Sequence, residues 1–401
     1  MTSLAGQDWF TDPKTKAVMA ALEAVRPGGA RFVGGCVRNA LMGRDVDDID
    51  IATQLVPEQV IGALEAAGIR AIPTGIDHGT ITAVHEGKPF EITTLRRDVE
   101  TDGRRAVVAF TEDWTEDAGR RDFRLNALYV DGSGAVHDPI GGGLEDAAAG
   151  RVIFIGDADT RLREDYLRIL RFFRFNAWYG AGLDAEGLAA CARQKDGLKK
   201  IAAERIWKEL HKLLAAPDPV EAVAAMKETG VLDIFLPEAE TLDGLHDLRV
   251  SETLAGVQPD PMLRLMGLID RSANSVLAVS KRLRLSNAEA NRLTMWAADN
   301  LPDVSTLKAR DLRRQLYWHG KQAVVDRALT SGQNVRDLLF AARAWKRPEF
   351  PIGGDDALAA GLKGPEIGAK LRALEEWWMG EDFQPERDDL LSKLQGQQGK
   401  D

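Results

Sequence analysis

Phe32-Val-Gly-Gly-Cys-Val-Arg-Asn-Ala-Leu-Met-Gly-Arg-Asp-Val-Asp-Asp-Ile-Asp-Ile-Ala-Thr53 is the stretch whose reading decides the fold. It opens on an apolar strand end, turns through Gly34-Gly35 and runs as a short helix-like segment to Leu41. It then re-enters an extended run with Asp48 and Asp50 at alternate positions. Alternate strand residues point to one face, roughly 7 Å apart at Cα, and two carboxylates so placed suit a divalent cation. Phosphoryl transfer uses such ions to activate an attacking hydroxyl and to hold the leaving phosphates. Mg²⁺ takes one or two protein carboxylates and completes its shell from phosphate and water. Gly34 and Gly35 leave room for a triphosphate to approach the backbone N–H groups ahead of the helix, and Arg38 follows one turn in. An isolated Asp-x-Asp pair is more often a solvated turn; Gly-Gly and Arg at this spacing turn the reading toward nucleotide chemistry.

Gly-Gly-x-Val-Arg-Asn followed by Asp-x-Asp-Ile-Ala-Thr resembles the signature of the class II nucleotidyltransferases of the DNA polymerase β superfamily. These are the CCA-adding tRNA nucleotidyltransferases and the bacterial poly(A) polymerases. The resemblance implies Mg²⁺ as cofactor, CTP and ATP as substrates, tRNA as partner, and metal ligation by Asp48 and Asp50. It also matches Glu91, within Pro89-Phe-Glu-Ile-Thr-Thr-Leu-Arg96, to the third acidic catalytic position and Arg96 to the arginine that closes that motif. From the residues alone, Glu91 is equally an edge-strand glutamate; facing inward, a carboxylate there needs a partner.

Arg120-Arg-Asp-Phe-Arg-Leu-Asn-Ala-Leu128 resembles the family's second motif. Carried over, Asp122 accepts a hydrogen bond from a ribose 2′-OH, which distinguishes ribose from deoxyribose, while Arg121 and Asn126 support the nucleotide. Arg124 stands where the family usually has Thr. Asp138-Pro-Ile-Gly-Gly-Gly-Leu-Glu-Asp146 resembles the hinge motif, with one extra glycine and without the usual Leu after its second Asp. Glycines there suit a head-to-neck hinge, although a plain loop has the same composition.

Arg161 to Phe175 has helical periodicity. Glu164 and Arg168 stand at i,i+4 and Asp165 and Arg168 at i,i+3, so one side of a helix gathers all three. An intrahelical salt bridge is the plain account. The family resemblance assigns more: Glu-Asp-x-x-Arg selects the base. Cytosine and adenine each present an exocyclic amine beside a ring-nitrogen acceptor, whereas uracil and guanine present a carbonyl beside a ring N–H. An accepting Asp165 and a donating Arg168 complement the first pair and mismatch the second, with Glu164 orienting Arg168; desolvated mismatches are strongly rejected. Arg171 and Arg174, one and two turns on, are carried over as nucleotide-binding residues with Gly34, Gly35 and Arg38. Ile201 to Leu214 resembles the fifth motif, in which Glu204 and Arg205 buttress the neck.

At 401 residues the chain implies two to four domains. The strand signals (31–33, 70–73, 79–86, 89–95) and the helices at 9–26 and 57–67 all fall before residue 150. The expected fold is α+β: a nucleotidyltransferase palm over 1–145, a neck with the base-selecting helix over 146–215, and a helical body and tail over 216–401 for tRNA binding. Residues 97–119 read as a mobile loop with one brief strand. Helices are expected at 217–229, 260–283, 287–299, 305–331, 334–345 and 361–378; the last resembles the family's tail, which leans on tRNA.

Two cysteines and six histidines without paired spacing exclude a disulfide framework and a zinc cluster. His246-Asp247 lacks the further His and Asp of a phosphohydrolase centre. No apolar run approaches the ~18 residues of a membrane span, and the first residues carry neither a basic nor an apolar signal region, so a cytoplasmic location is expected. A net charge of −10 argues against whole-surface binding of polyanions. Residues 151–212, with thirteen Lys/Arg against nine Asp/Glu, allow a local footprint. The function expected is template-independent addition of C, C and A to tRNA 3′ ends. The alternatives are a poly(A) polymerase, a CC- or A-adding relative, and a non-catalytic RNA-binding relative. Tyr166, where poly(A)-making relatives tend to have Pro, and the acidic balance favour CCA addition.

Overall fold

The computed structural model describes residues 2–101 and 106–396. These form two compact units, Met1–Pro237 and Glu238–Asp401. The expected palm and neck lie together in the first unit, which extends past residue 215.

The first unit opens with helices Asp8–Thr11 (α1) and Pro13–Val25 (α2). The helix expected over 9–26 is therefore two. Asp12 leaves helical geometry and caps Lys14 N, with Pro13, which has no N–H to donate, in the first turn. Strand Ala30–Val33 (β1), helix Gly35–Leu41 (α3), strand Asp50–Thr53 (β2) and helix Pro57–Ala66 (α4) follow. Then come strands Arg70–Gly75 (β3), Thr80–His85 (β4) and Lys88–Thr94 (β5). β4 and β5 are joined by a tight turn at Glu86 (φ 45°) and Gly87 (φ 80°), the twist-matched hairpin geometry. The expected loop over 97–119 contains a hairpin, Arg96–Thr101 (β6) with Ala106–Phe110 (β7), and helix Trp114–Gly119 (α5). Residues 102–105, within the loop read as mobile, lie outside the described residues.

With Tyr129–Val130 (β8) and Val136–His137 (β9), the main sheet has the order β3-β4-β5-β2-β1-β8-β9. All pairs are antiparallel except β2 with β5. Period-2 alternation gives the sheet two faces. Phe32, Ile51, Ile81 and Ile92, all buried, lie on one face, and α2 and α4 pack on the sheet with their own buried Val18, Leu22, Val60 and Leu64. The other face carries Val33, Ala52 and Tyr129, which cluster with Leu95, Ala118, Ala127 and Ile155. Asp50 is two residues from Ala52 and opposite Val33, so it stands at the end of this second face.

The rest of the first unit is helical: Gly143–Ala149 (α6), Ala158–Glu164 (α7), Leu167–Tyr179 (α8), Ala185–Gln194 (α9), Ala203–Leu214 (α10), Val220–Glu228 (α11) and Leu232–Phe235 (α12). Phe123 anchors the second motif to α8: its ring lies 4.9 Å from Phe154 and 5.2 Å from Phe175, and Phe154 stacks on Phe172 at 5.5 Å. Aromatic pairs of this kind add ~0.5–1.5 kcal/mol each beyond area burial.

The second unit is helical among its described residues: Asp243–Ala255 (α13), Pro261–Met266 (α14), Ala273–Leu283 (α15), Asn287–Ala297 (α16), Ala309–Leu329 (α17), Arg336–Ala344 (α18), Gly354–Ala359 (α19), Pro365–Gly380 (α20) and Arg387–Gln395 (α21). The helix expected over 260–283 is divided, since Ser272 accepts from Ser275 N and starts a new helix. Gly320 (φ 79°, ψ 160°) breaks α17. Around α20, Tyr317, Trp378 and Leu390 form an apolar core.

Candidate active site

Gly34 carries φ 74° and ψ −123° and turns β1 into α3, a conformation an L side chain resists. A Cβ at this position would also stand 3.7 Å from Asp50 Oδ2 and 3.8 Å from Arg121 Nη1. Glycine thus keeps open a corner between an acid and a guanidinium. Gly35 begins α3.

Asp50 opens β2 and is in direct register with Glu91 on β5, so the two lie side by side on one face. Asp48 is exposed and precedes the strand rather than lying within it, which corrects the expected extended run through both aspartates. Burial, then the charge of Glu91, pushes the Asp50 carboxyl up to about 6; Asp48 adds to this, while Arg121 and Arg38 oppose it. Mutually repelling carboxylates at the rim of a sheet have the donor chemistry of a hard cation site. Among the described residues no three His, Cys, Asp or Glu side chains converge on one point.

The second motif folds as a 3₁₀ turn, Arg124–Asn126. Asn126 accepts from Arg38 Nη1 (2.7 Å) and donates to Asp122 Oδ1 (3.0 Å); Arg38 also donates to the Tyr179 hydroxyl (2.8 Å). Asp122 accepts further from Phe123 N (2.9 Å) and from Arg171 through Nε (2.7 Å) and Nη2 (2.5 Å). Four donors fill the roughly four lone-pair positions of a carboxylate, and the side chain is 7% exposed. Burial pushes this carboxyl up, but Arg171 and the hydrogen bonds outweigh it and hold it below its usual range. A ribose hydroxyl reaches Asp122 only by displacing one of these donors. In this conformation the residue positions Arg171 and Asn126.

Arg124 donates through Nε to Asp146 Oδ2 (2.7 Å) and through Nη2 to Oδ1 (3.2 Å), and Arg151 adds a 3.0 Å contact. Gly142 (φ 79°) lies beneath the guanidinium: a Cβ there would sit 2.9 Å from Arg124 Nη1. Asp138 accepts from Gly141 N and Gly143 N at 3.0 and 2.8 Å. Two of the departures from the family pattern, Arg124 and the glycine-enriched turn, meet in space. The segment read as a hinge is a closely bonded loop.

The helix expected over 161–175 is interrupted. Asp165 is extended (φ −151°, ψ 105°) and divides α7 from α8, its Oδ1 accepting from Leu167 N at 3.0 Å. An Asp ahead of an apolar run is a capping signal that periodicity alone overlooks. Glu164 still meets Arg168 (2.6 Å) and also Arg161 (2.7 Å). Asp165 turns its Oδ2 to Arg205 of α10 at 3.0 Å instead of to the Arg168 side chain. Arg205, expected to buttress the neck, thus touches Asp165 directly. Arg174 pairs with buried Glu209 (2.6 Å) and lies over the Phe175 ring; the sequence reading missed Glu209. It also missed Asp117, a buried carboxylate at the C-terminal end of the hairpin segment.

Two backbone contacts join the parts. Arg161 Nη2 donates to the Arg121 carbonyl (2.8 Å) and Arg168 Nη2 to the Arg120 carbonyl (3.1 Å). Arg121 thus lies near Asp50 at its guanidinium, while its carbonyl holds Arg161, the partner of Glu164.

A family model for the "Poly A polymerase head domain" matches residues 30–153, and one for a "Probable RNA and SrmB- binding site of polymerase A" matches 182–242. The mitochondrial CCA tRNA nucleotidyltransferase 1 of Mus musculus is 37% identical over 382 residues, covering 91% of this chain and 86% of that protein. The chain belongs to the CCA-adding tRNA nucleotidyltransferase family. The CCA-adding enzyme of Oceanobacillus iheyensis is 31% identical over 345 residues, 82% of each chain. The solved structure of the Bacillus stearothermophilus CCA-adding enzyme in complex with CTP aligns over 96% of this chain and 97% of that one, with a TM-score of 0.75 and 26% identity. Membership makes the chain a nucleotidyltransferase, and the palm with its mixed sheet is the family's fold.

Proposed function

We propose that the chain adds C, C and A from CTP and ATP to the 3′ end of tRNA without a nucleic-acid template, releasing pyrophosphate. One observation carries this: Arg121 stands between the Asp50–Glu91 carboxylates and the Glu164–Asp165–Arg168 group. A nucleotide laid across Arg121 has its phosphates at the acids and its base at the selecting residues.

Asp48 and Asp50 are the residues that would hold Mg²⁺, with Glu91 beside Asp50. The raised carboxyl of Asp50 fits a site that a cation relieves. When bound, such an ion supplies Lewis acidity toward phosphate and hydroxyl oxygens. The open corner at Gly34 admits the phosphates and Arg121 faces them. The tRNA 3′-hydroxyl forms a bond to the α-phosphorus and loses its proton, while the bond from that phosphorus to the bridging oxygen breaks.

Asp165 and Arg168 retain the capacity to read a base. Asp165 accepts from Leu167 N and Arg205 Nη2 among the described residues and is 30% exposed. Of the five N–H donors of Arg168, three are engaged among the described residues. Glu164 holds Arg168 in place. This contrast with the filled carboxylate of Asp122 supports base selection by Asp165 and Arg168, with Arg38, Arg121, Asp122, Asn126, Arg171 and Arg174 supporting the nucleotide. The second unit is the proposed seat of tRNA contact, by the family resemblance of its tail.

No helix among the described residues is long and apolar enough to cross a membrane. The mouse relative carries a mitochondrial name; for this chain we retain a cytoplasmic location, which cell fractionation tests. The activity is tested by incubating the protein with tRNA lacking its 3′ CCA, Mg²⁺ and each labelled nucleotide. Incorporation ending after two C and one A supports the reading. A long A tail selects a poly(A) polymerase, CC alone or A alone selects a partial enzyme, and tRNA binding without pyrophosphate release selects a non-catalytic role.

A further inference from the structure

Asp117 lies in α5, three residues before the Arg120-Arg121-Asp122 run, and its side chain is 1% exposed. Its Oδ1 accepts from Arg120 Nε (2.8 Å) and, more weakly, from Arg96 N (3.3 Å). Its Oδ2 accepts from Arg121 Nη2 (3.1 Å) and from the Tyr129 hydroxyl (2.8 Å). Tyr129 in turn accepts from Arg121 Nε at 3.3 Å. Each arginine is held along one edge of its fork, through Nε and Nη2. The direction matters: the other end of the Arg121 guanidinium, Nη1, looks across Gly34 toward Asp50, while the carbonyls of Arg120 and Arg121 receive Arg168 and Arg161.

We infer that Asp117 is a positioning residue for nucleotide binding: it aims Arg121 at the phosphates and seats the arginine pair whose carbonyls receive Arg168 and its neighbour Arg161. This rests on the proposal that Arg121 faces the triphosphate. Burial pushes the Asp117 carboxyl up, but Arg121, Arg120 and the hydrogen bonds outweigh it and hold it below its usual range. An ionised, fully used acceptor orients an arginine more rigidly than water can, because charge-assisted hydrogen bonds are the strong ones. Its electrostatic influence is large because the pair is desolvated. Asn at this position keeps one acceptor oxygen, but turns an amide donor toward one of the arginines and removes the charge.

The test compares Asp117→Asn, Asp117→Glu, Arg121→Ala and the double variant Asp117→Asn/Arg121→Ala, using primer tRNA and CTP under initial-rate conditions. Thermal melts accompany each variant. Asp117→Asn is expected to raise the KM for CTP roughly 10-fold or more, with the KM for tRNA unchanged. Asp117→Glu is expected to recover part of that loss. In the Arg121→Ala background, Asp117→Asn is expected to add less than twofold, since the residue it positions is already gone. If Asp117→Asn folds as the wild type and leaves the CTP KM unchanged while Arg121→Ala raises it, the positioning role is wrong and the nucleotide site stands. If Arg121→Ala itself leaves the CTP KM unchanged, the assignment of Arg121 to the phosphates fails and takes the inference with it. Should Asp117→Asn melt too low to assay, the Asp117→Glu variant decides: an unchanged CTP KM in both Asp117→Glu and its combination with Arg121→Lys overturns the role.

Discussion

Replacing Arg168 with alanine tests base selection at its source. The side chain is 12% exposed, bonded to Glu164 at 2.6 Å and to two backbone carbonyls, and three of its five donors are in use. A base with a ring-nitrogen acceptor at the Watson–Crick edge receives a charge-assisted hydrogen bond, worth ~1.5–3 kcal/mol. At about 1.4 kcal/mol per decade, its loss lowers kcat/KM for CTP and ATP by roughly 10–150-fold. UTP and GTP present an N–H at that place and have no such bond to lose. Their kcat/KM is expected to hold, so the CTP-to-UTP ratio falls by the same factor. The substitution also strips the Arg120 and Arg161 carbonyls of a donor, at ~1–3 kcal/mol, while Glu164 keeps Arg161. Single-nucleotide incorporation is therefore measured well below the midpoint of a parallel melt. A folded Arg168→Ala protein that keeps the wild-type CTP-to-UTP ratio refutes the templating role, whatever its absolute rate.

Asp50→Asn is expected to abolish transfer while tRNA binding, read by gel shift or anisotropy, persists; turnover retained above about a tenth of wild type counts against the carboxylate assignment. Gly142→Ala and Gly141→Ala both force an alanine into positive φ, about 81° and 79° for 141 and 142 respectively, at ~1–2 kcal/mol. Only position 142 also collides with Arg124, so its midpoint temperature is expected to fall further than that of Gly141→Ala, and Arg124→Thr should relieve part of the difference. Asp131 has its carboxyl held down to about 2: burial pushes it up, but Ser133, His137 and backbone donors outweigh that. A group depressed on folding contributes stability above its unfolded value of ~3.9 and loses it as the pH falls toward 2. Asp131→Asn should therefore lower the melting temperature at pH 6–7, and the difference should shrink below about pH 4 and vanish only below the folded value of about 2.

The motifs were legible because each is local. Glycine pairs, alternating acids and Arg-Arg-Asp are specified by residue type and short spacing. So were the hydrophobic alternations of β4 and β5 and the Glu-Gly turn between them. Breaks were less visible: Asp12 and Asp165 each end one helix and start another through a single side-chain cap, which leaves the 3.6-residue pattern of apolar positions on either side intact. The hairpin β6–β7 was hidden for a related reason, since its charged, glycine-containing sequence carries too little alternation to announce two strands.

By itself, the sequence determined which chemical groups the chain possesses and the order in which they occur, hence the palm, the helical remainder and the nucleotide chemistry. Only the tertiary structure decided which of those groups are already spent. Glu91 stands beside Asp50 because of a parallel register between strands about forty residues apart. Arg205 meets Asp165 and Arg171 fills Asp122 across similar separations, and Arg124 covers Gly142 across a shorter one. A carboxylate has about four places for donors and a guanidinium five N–H groups. Whether any remain for a substrate depends on neighbours that chain order does not place, and those neighbours fill Asp122 while engaging Asp165 and Arg168 only in part among the described residues.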